Sequence, residues 1–288
     1  MPPLTRARSL LFMPANQAGM IAKIPRIAPD VAVADLEDAV APGDKERARD
    51  IAVAAIDALA RPDPKPPTTV LIRVNPVGTP WFEGDVAAAA DCAAAGIVVP
   101  KLATPHELSQ VRQVLAEHSW SDALLIAGLE TALGVADARS LLAHGVSAVY
   151  FGAEDYIADI GGQRTGAGTE VLYARSQVCL AAYLAGVPAI DEAVVGLGDD
   201  DFFSADAQAG RAMGYQGKIC IHPRQVELSH QVFTPTAEEV AHAEAVLAAG
   251  DAGVAVVDGQ MVDSVHVKMA QSVLARVDRS PVGEPGHR

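Results

Sequence analysis

The segments LLIAGLE (residues 124–130) and VYFGAED (residues 149–155) each end a short apolar run with a carboxylate, Glu130 in the first and Asp155 in the second. Apolar runs of this length are typical of strands in a parallel sheet that packed layers cover on both faces. A carboxylate at the carboxyl end of such a strand adds nothing to packing, so it indicates chemistry. On successive parallel strands, Glu130 and Asp155 would lie side by side at one rim, where a hard divalent cation could bind.

Further short apolar runs alternate with longer amphipathic stretches along the chain, and together they predict eight strands. The strands are Ser9–Met13, Val31–Leu36, Thr69–Val74, Gly96–Val99, Leu124–Leu129, Ala148–Phe151, Ala189–Val194 and Gly217–Ile221. The helices predicted between them include Lys45–Ala60, Pro105–Ala116, Gly134–His144 and Glu170–Gly186. Eight alternations without a hairpin signal favour an α/β fold of the closed (β/α)8 TIM-barrel type. The alternative is an open doubly wound sheet, which normally has a glycine-rich turn after its first strand, and LFMPANQ (residues 11–17) is not one.

The pattern changes after the eighth predicted strand. A Thr236–Glu239 capping box predicts a helix over Thr236–Ala249. The Asp-Gly pair in VAVVDGQMVDSVHVK (residues 254–268) predicts a hairpin, and a last helix would follow to about Val277. We therefore expect a barrel domain over residues 1–235, a lid segment of helices and a hairpin over residues 236–278, and a disordered tail over residues 279–288.

Composition excludes some partners. The formal net charge of −14 and the pI of about 4.9 argue against nucleic acid. The three cysteines are isolated, which favours a reduced, cytoplasmic location. No apolar run reaches the roughly 20 residues that a membrane span needs, so we expect no membrane partner.

Polar side chains also follow other predicted strands. They are Asp35, Glu37 and Asp38 after the second, Arg73 after the third, Lys101 after the fourth and His222 after the eighth. Because barrel enzymes bind ligands at the carboxyl ends of their strands, we expect these side chains to form one polar rim. Carboxylates without a His or Cys pattern favour Mg²⁺, and an arginine fork suits a carboxylate or a developing oxyanion. Such a pair could stabilise an enolate or an alkoxide. From the residues alone, Glu154 and Asp155 remain equal candidates for the second metal ligand.

A series of motifs runs in order from about Arg8 to about Leu274. The motifs are RSLLFMPAN, ADLEDAV, LIRVN, VVPK, GLETALGV, FGAEDYIADIGGQRTGAG, GKICIHPRQ and DGQMVD. Together they resemble the citrate lyase β-subunit-like family, within the wider HpcH/HpaI aldolase superfamily. The resemblance implies a TIM barrel that assembles as a homotrimer or a hexamer, and it covers nearly the whole chain.

The resemblance also implies roles for individual residues. Mg²⁺ would be held by Glu130 and Asp155, which selects Asp155 over Glu154. Arg73 would bind substrate near the thioester carbonyl, Glu130 would also contact substrate, and Asp263 in the lid would act in proton transfer at a neighbouring subunit's site. The remaining implied contacts are Asp35, Glu37 and Asp38 through metal-bound waters, and Lys218 and His222 near a coenzyme A channel.

The activity implied is that of a Mg²⁺-dependent carbon–carbon lyase. It would cleave or form a β-hydroxyacyl-CoA thioester, such as malyl-, citramalyl- or citryl-CoA, through an enolate, with an oxo acid or hydroxy acid as the other partner. The alternatives are a thioester hydrolase using the same site, and a non-catalytic or complex-dependent citrate lyase β subunit. The chain departs from many relatives at Pro14-Ala15, where they have Pro-Gly, and at Gly196-Leu197-Gly198, a segment that we expect to influence substrate choice.

Overall fold

Eight parallel strands close into a barrel in the computed structural model, which describes residues 4–61, 68–250 and 254–277. The strands are β1 (Ser9–Pro14), β2 (Val31–Asp35), β3 (Thr69–Arg73), β4 (Gly96–Val99), β5 (Leu124–Leu129), β6 (Ala148–Phe151), β7 (Ala189–Asp191) and β8 (Gly217–Cys220). Each strand pairs with the next along the chain, and β8 closes the barrel against β1 with Leu10 opposite Ile219. The predicted (β/α)8 TIM barrel is confirmed, and the largest difference is that β7 ends three residues early.

Helices surround the barrel and connect its strands. They are α1 (Ala18–Ile21), α2 (Ile24–Ile27), α3 (Lys45–Leu59), α4 (Phe82–Ala90), α5 (Pro105–Glu117), α6 (Ala132–Ala136), α7 (Ala138–Leu142), α8 (Ala153–Asp159), α9 (Leu172–Ala185), α10 (Asp200–Met213) and α11 (Pro223–Phe233). The single helix predicted over Gly134–His144 is instead the pair α6 and α7, because Asp137 between them has a ψ of 10° and leaves the helical conformation. None of the described helices is long and apolar enough to cross a membrane.

Alternate strand residues divide the core into two layers, as the pleat of a barrel strand requires. One set fills the barrel interior and includes Leu10, Val33, Leu71, Val98, Ile126, Tyr150 and Ile219. The other set packs against the helices, as Ala34, Ile72, Ile97 and Val149 do. Because the interior is packed with side chains, an open cavity can form only at an end of the barrel.

A buried ionic cluster of Arg175, Asp191, Asp206 and Lys218 lies between β7, β8 and the helices α9 and α10. Arg175 donates to both carboxylate oxygens of Asp191, with Nε at 2.8 Å and Nη2 at 2.5 Å. Lys218 Nζ donates to Asp191 Oδ2 at 2.8 Å and also to Asp206. The Lys218 side chain is 0% exposed, and the expectation that Lys218 lies near a coenzyme A channel stays a prediction. An ammonium that two carboxylates bind inside the helix layer is not available to a ligand.

The described residues after Phe233 belong to a second compact unit. It contains α12 (Ala237–Ala249), β9 (Ala255–Val257), β10 (Gln260–Val262) and α13 (Ser264–Ala275). Thr236 and Glu239 form the predicted capping box, with Glu239 N donating to Thr236 Oγ1 at 3.1 Å. Asp258 and Gly259 join the two strands at φ angles of 50° and 78°, which is the left-handed backbone that a two-residue hairpin turn needs. The tail expected over residues 279–288 lies outside the described residues.

Candidate active site

A cavity of about 480 Å³ opens at the carboxyl ends of the barrel strands. Its charged lining residues follow β2, β3, β5 and β6, and we call them the polar arc: Asp35, Asp38, Arg73, Glu130, Glu154 and Asp155. The residues that line it from β7, β8 and β1 form an apolar arc: Phe12, Met13, Pro14, Ala193, Val195, Ile219 and Ile221. Because β8 pairs with β1, the apolar arc is continuous around one side of the barrel. The cavity therefore has one charged side and one apolar side.

Glu130 follows β5 at the base of the polar arc and is only 2% exposed. Its Oε1 accepts hydrogen bonds from the backbone N of Lys101 at 2.7 Å and from the Tyr150 hydroxyl at 3.2 Å. Burial raises the pKa of Glu130 to about 7, and the negative charges of Glu37 and Asp155 add to this effect. A buried carboxylate beside other carboxylates gains stability from a cation, which makes Glu130 a suitable metal ligand.

Gly152 gives Glu130 the space that it occupies. A Cβ atom on Gly152 would lie 2.3 Å from Glu130 Oε2 and 2.6 Å from Glu130 Cβ, so any larger residue would displace this carboxylate. Gly152 also precedes the first residue of α8. The glycine in the motif FGAED thus allows a carboxylate from β5 to lie against the start of the next helix.

Asp155 and Glu154 both lie in the first turn of α8, a turn beyond the strand end where the sequence pattern placed them. Asp155 Oδ1 is 3.2 Å from Lys101 Nζ, and Lys101 also binds Glu130 through its backbone. Glu154 Oε1 is instead 3.4 Å from Arg164 Nε. Asp155 therefore shares a partner with Glu130, whereas Glu154 belongs to a separate group of charges. This geometry favours Asp155 as the second carboxylate of a metal site.

Arg73 ends β3 directly opposite Asp35, the last residue of β2. Its Nε and Nη2 donate to the two carboxylate oxygens of Asp35, each at 2.6 Å. Its third nitrogen, Nη1, lies 2.9 Å from Glu37 Oε2 without forming a hydrogen bond. The guanidinium carbon lies 5.0 Å from the centre of the Phe12 ring, within the range of a cation–π contact. Arg73 is thus held in place by Asp35, and Nη1 is the nitrogen that Asp35 leaves available.

Lys101 is a residue of this region whose importance the sequence pattern did not reveal. It follows β4, and its Nζ contacts Glu37 Oε1, Asp155 Oδ1 at 3.2 Å and Asp38 Oδ2 at 3.6 Å. Three of the carboxylates that follow β2 and β6 therefore meet at one ammonium group. The sequence did show that Lys101 follows a strand, in the motif VVPK. A lysine at that position is equally typical of a solvated surface charge, so the pattern did not reveal its contacts with three carboxylates.

The carboxylates at the mouth fit the chemistry of Mg²⁺. Within residues 4–61, 68–250 and 254–277, no group of three or more His, Cys, Asp or Glu is arranged as a complete ligand set. Mg²⁺ does not need one, because it usually takes one or two protein carboxylates and completes its coordination with water and substrate oxygens. Glu130 and Asp155 face the same cavity, and burial, with the added negative charges of Glu37 and Asp155, raises the pKa of Glu130.

Two further residues with predicted roles are His222 in the barrel, which does not line the cavity, and Asp263 in the C-terminal unit. His222 is exposed after β8, and its Nδ1 accepts from the backbone N of Arg224 at 3.2 Å. Asp263 precedes α13 in the C-terminal unit, where its Oδ1 lies 2.8 Å from His266 Nδ1 and accepts from Val265 N at 2.9 Å. These contacts, with that to His266 the largest, hold the pKa of Asp263 below its usual range. The roles assigned to both residues stay predictions.

Comparison with known proteins shows similarity to one family over nearly the whole chain. Residues 8–223 match the family described as HpcH/HpaI aldolase/citrate lyase. The citrate lyase subunit beta-like protein of Deinococcus radiodurans is 48% identical over 279 residues, which cover 93% of this chain and 96% of that protein. A (3S)-malyl-CoA thioesterase of Cereibacter sphaeroides is 30% identical over 286 residues, with 94% of each chain covered.

The structure is also similar to that of CitE from Mycobacterium tuberculosis in complex with magnesium, acetoacetate and coenzyme A. The TM-score is 0.80 at 29% sequence identity, and the match covers 94% of this chain and 98% of that one. Both the family match and the curated relatives extend over most of the sequence, and the barrel and its polar arc lie within the matched range. The chain belongs to the HpcH/HpaI aldolase/citrate lyase family.

Proposed function

We propose that this protein is a Mg²⁺-dependent carbon–carbon lyase that cleaves, or forms, a β-hydroxyacyl-CoA thioester. The observation that carries the proposal is the position of Glu130 and Asp155 on the polar arc of one cavity, with Arg73 on the same arc. The magnesium and coenzyme A in the M. tuberculosis complex support both the metal and the class of substrate. Bound by Glu130 and Asp155, Mg²⁺ would act as a Lewis acid toward substrate oxygens.

The residues of this chain supply binding, charge and proton transfer. In the cleavage direction the β-hydroxyl group loses its proton, the Cα–Cβ bond breaks, and its electron pair moves into the thioester as an enolate while an oxo acid leaves. We assign the enolate oxygen to Arg73 Nη1, because Nε and Nη2 donate to Asp35. Tyr150 and the Lys101 backbone fix the orientation of Glu130.

Asp263 is the proposed base, acting at a neighbouring subunit's site in a homo-oligomer. Its contacts with Val265 and His266 all involve Oδ1. We therefore assign the transferred proton to Oδ2. His222 remains a proposed neighbour of the coenzyme A chain, since it is exposed on the same rim.

The charges at the mouth favour malyl-CoA and citramalyl-CoA over citryl-CoA. Each of the three cations Arg73, Lys101 and Arg164 already faces at least three carboxylates. Citryl-CoA has one carboxylate more than the other two thioesters, and beyond the charge that Mg²⁺ would supply, these three cations have no unpaired charge to offer it, so we expect it to bind less well. The apolar arc suits the hydrogen or methyl group that malyl-CoA and citramalyl-CoA carry at that position.

A product screen tests this proposal. The protein is incubated with malyl-, citramalyl- or citryl-CoA, with and without Mg²⁺, and the release of glyoxylate, pyruvate or oxaloacetate is measured. We expect Mg²⁺-dependent release of oxo acid from the first two, and a kcat/KM for citryl-CoA that is lower by about 100-fold or more. Full activity in Glu130→Ala protein treated with a chelator would exclude the proposed metal site.

A thioester hydrolase is the second candidate, because one relative at 30% identity is a malyl-CoA thioesterase. The same screen separates the two activities if free coenzyme A thiol is measured beside the oxo acid. Free thiol with malate and no glyoxylate would identify hydrolysis. No activity from the isolated protein, with activity restored by an acyl-carrier partner, would identify a complex-dependent citrate lyase β subunit.

A further inference from the structure

Lys101 contacts both proposed metal ligands, and it does so with two different groups. Its backbone N donates to Glu130 Oε1 at 2.7 Å. Its side-chain Nζ lies 3.2 Å from Asp155 Oδ1 and also binds Glu37 Oε1. One residue after β4 thus connects a carboxylate that follows β5 with one that begins α8.

The backbone at Lys101 supports a specific role for this residue. Its φ angle is 54°, in the left-handed region that residues with a Cβ atom rarely adopt. The conformation is unfavourable in itself, so the contacts that Lys101 makes must offset its cost. The backbone bond to Glu130 and the side-chain contacts with Glu37 and Asp155 are the contacts that this turn provides.

The ammonium group of Lys101 stands among carboxylates that would otherwise repel one another. Glu37 is nearly buried, whereas the Lys101 side chain is 29% exposed and the Asp155 side chain 36% exposed. A lysine ammonium is a compact charge on a flexible chain, so it can move away from Asp155 while it stays with Glu37 and the exposed Asp38, without disturbing the barrel. Glu37 cannot leave in this way because it is almost enclosed.

We propose that the ammonium group of Lys101 neutralises Asp155 in the metal-free protein, and that metal binding displaces it from Asp155. The inference rests on the proposed assignment of Glu130 and Asp155 as metal ligands. The backbone bond to Glu130 does not compete in the same way, because it occupies Oε1 and leaves Oε2 facing Gly152. Lys101 is therefore a positioning residue, whose side chain and backbone have separate effects on the metal site.

The measurement is Mn²⁺ affinity, by electron paramagnetic resonance or calorimetry, in the wild type, Lys101→Met and Lys101→Arg. A side chain that competes with the metal must weaken its binding, so Lys101→Met should bind Mn²⁺ about five- to tenfold more tightly. Lys101→Arg keeps the charge and should bind Mn²⁺ within about threefold of the wild type. Metal-free Lys101→Met should also unfold at a lower temperature than the wild type, and saturating Mg²⁺ should reduce this difference.

Arg164→Met is the matched control, because Arg164 contacts Glu154 at the same mouth and has no contact with Asp155 among the ion pairs of the described residues. Its Mn²⁺ affinity should stay within about twofold of the wild type. Unchanged or weaker Mn²⁺ binding by folded Lys101→Met would overturn the inference. Normal Mn²⁺ binding by Asp155→Asn would instead refute the proposed metal site itself, so the failure of the inference and the failure of the proposed function can be told apart.

A measurement on the wild type decides the question if Lys101→Met does not fold. Acetylation of lysine amines, followed by mass spectrometry, reports how accessible each ammonium group is. If the metal displaces Lys101, saturating Mg²⁺ should make Lys101 react faster, whereas Lys218 in the buried ionic cluster should remain unreactive. An equal rate of Lys101 acetylation with and without Mg²⁺ would contradict the displacement.

Discussion

The barrel mouth and the buried ionic cluster use the same residue types with different charge balance. In the buried cluster, Arg175 and Lys218 face Asp191 and Asp206, and Arg175 also pairs with the buried Glu192, which in turn lies 3.0 Å from Arg164. Each of these three carboxylates contacts two cations. In the part of the mouth that holds the proposed metal site, two cations face five carboxylates. The cations are Arg73 and Lys101, and the carboxylates are Asp35, Glu37, Asp38, Glu130 and Asp155.

Two properties distinguish a structural ionic cluster from a ligand site: the ratio of cations to carboxylates, and whether the protein encloses them. Each carboxylate of the buried cluster contacts two cations inside the helix layer, so no ligand is needed to complete it. The mouth has an excess of negative charge on the wall of an open cavity. A divalent cation would neutralise most of this excess, which is the property that the following experiments test.

The largest effect is expected at Asp155. Asp155→Asn keeps the shape of the side chain but removes one charge from the proposed metal pair, so lyase kcat/KM should fall by about 10³-fold. Glu154→Gln, one residue earlier in the same helical turn, removes a charge that contacts Arg164 instead, and its kcat/KM should stay within about threefold. Equal losses in the two variants would show that only the total charge of the mouth matters.

Lys218→Met should affect stability instead of metal binding. It leaves Asp191 and Asp206 buried without their shared ammonium, which should lower the free energy of unfolding by about 3–5 kcal/mol. Urea denaturation measures the loss, and Mn²⁺ affinity of the folded protein should be unchanged. The exposed pair of Arg224 and Asp200 provides the control, since Arg224→Gln should have little or no effect. A change in Mn²⁺ affinity in Lys218→Met would show that the two clusters are coupled.

The raised pKa of Glu130 predicts a pH dependence in the metal-free protein. The folded state holds a proton up to about pH 7, whereas an ordinary glutamate loses it near 4.5. Stability contributed by this proton is therefore present at low pH and is lost as pH rises from about 4.5 to about 7, by at most about 3 kcal/mol. Burial of Glu130 is the main cause of its raised pKa, so this prediction does not depend on a second buried charge at the mouth.

Urea unfolding of the wild type and Glu130→Gln tests this, because glutamine does not titrate. The free energy of unfolding of the wild type relative to the variant should fall as pH rises from about 4.5 to about 7. Saturating Mg²⁺ should remove most of the fall, since the cation replaces the proton. If the free energies of unfolding of the two metal-free proteins changed in parallel with pH, the raised pKa of Glu130 would be contradicted.

Gly152→Ala should give the smallest effect of the four, and it changes no charge. Its Cβ atom would displace Glu130, so Mn²⁺ affinity should fall by about 10- to 100-fold while the protein stays folded. Gly166→Ala is the control, because a Cβ atom there meets nothing within 4 Å. Wild-type Mn²⁺ affinity in Gly152→Ala would show that the position of Glu130 is not critical.

The barrel was predictable because its signal is periodic and repeated. A charged residue ends or closely follows each of β2 to β6, and the closed sheet brings those ends to one rim, so Glu130 and Arg73 could be proposed in advance, whereas the choice of Asp155 over Glu154 came from the family resemblance. The hairpin was predictable for a local reason, since Asp258-Gly259 suits the left-handed turn that the structure has.

Contacts between side chains were not predictable in this way. Arg73 binds Asp35 because the register of β2 and β3 places the two residues opposite each other. Lys101 reaches Asp155 because its backbone is in the left-handed conformation, which a lysine rarely adopts. The burial of the Lys218 ammonium was not predictable either, because its side chain lies toward α10, and a shift of one residue in register would turn it to the opposite face of the sheet.

The division of the cavity into two arcs separates two kinds of evolutionary change. The residues proposed for metal and enolate chemistry come from β2 to β6 and the turn that follows, whereas the apolar arc comes from β7, β8 and β1. Substitutions at Val195 or Ile221 can therefore alter which acyl group fits without touching Glu130, Asp155 or Arg73. A barrel built in this way can change its substrates while its chemistry stays constant. A mutagenesis library confined to Val195 and Ile221 is therefore the smallest in which to search for new acyl specificities.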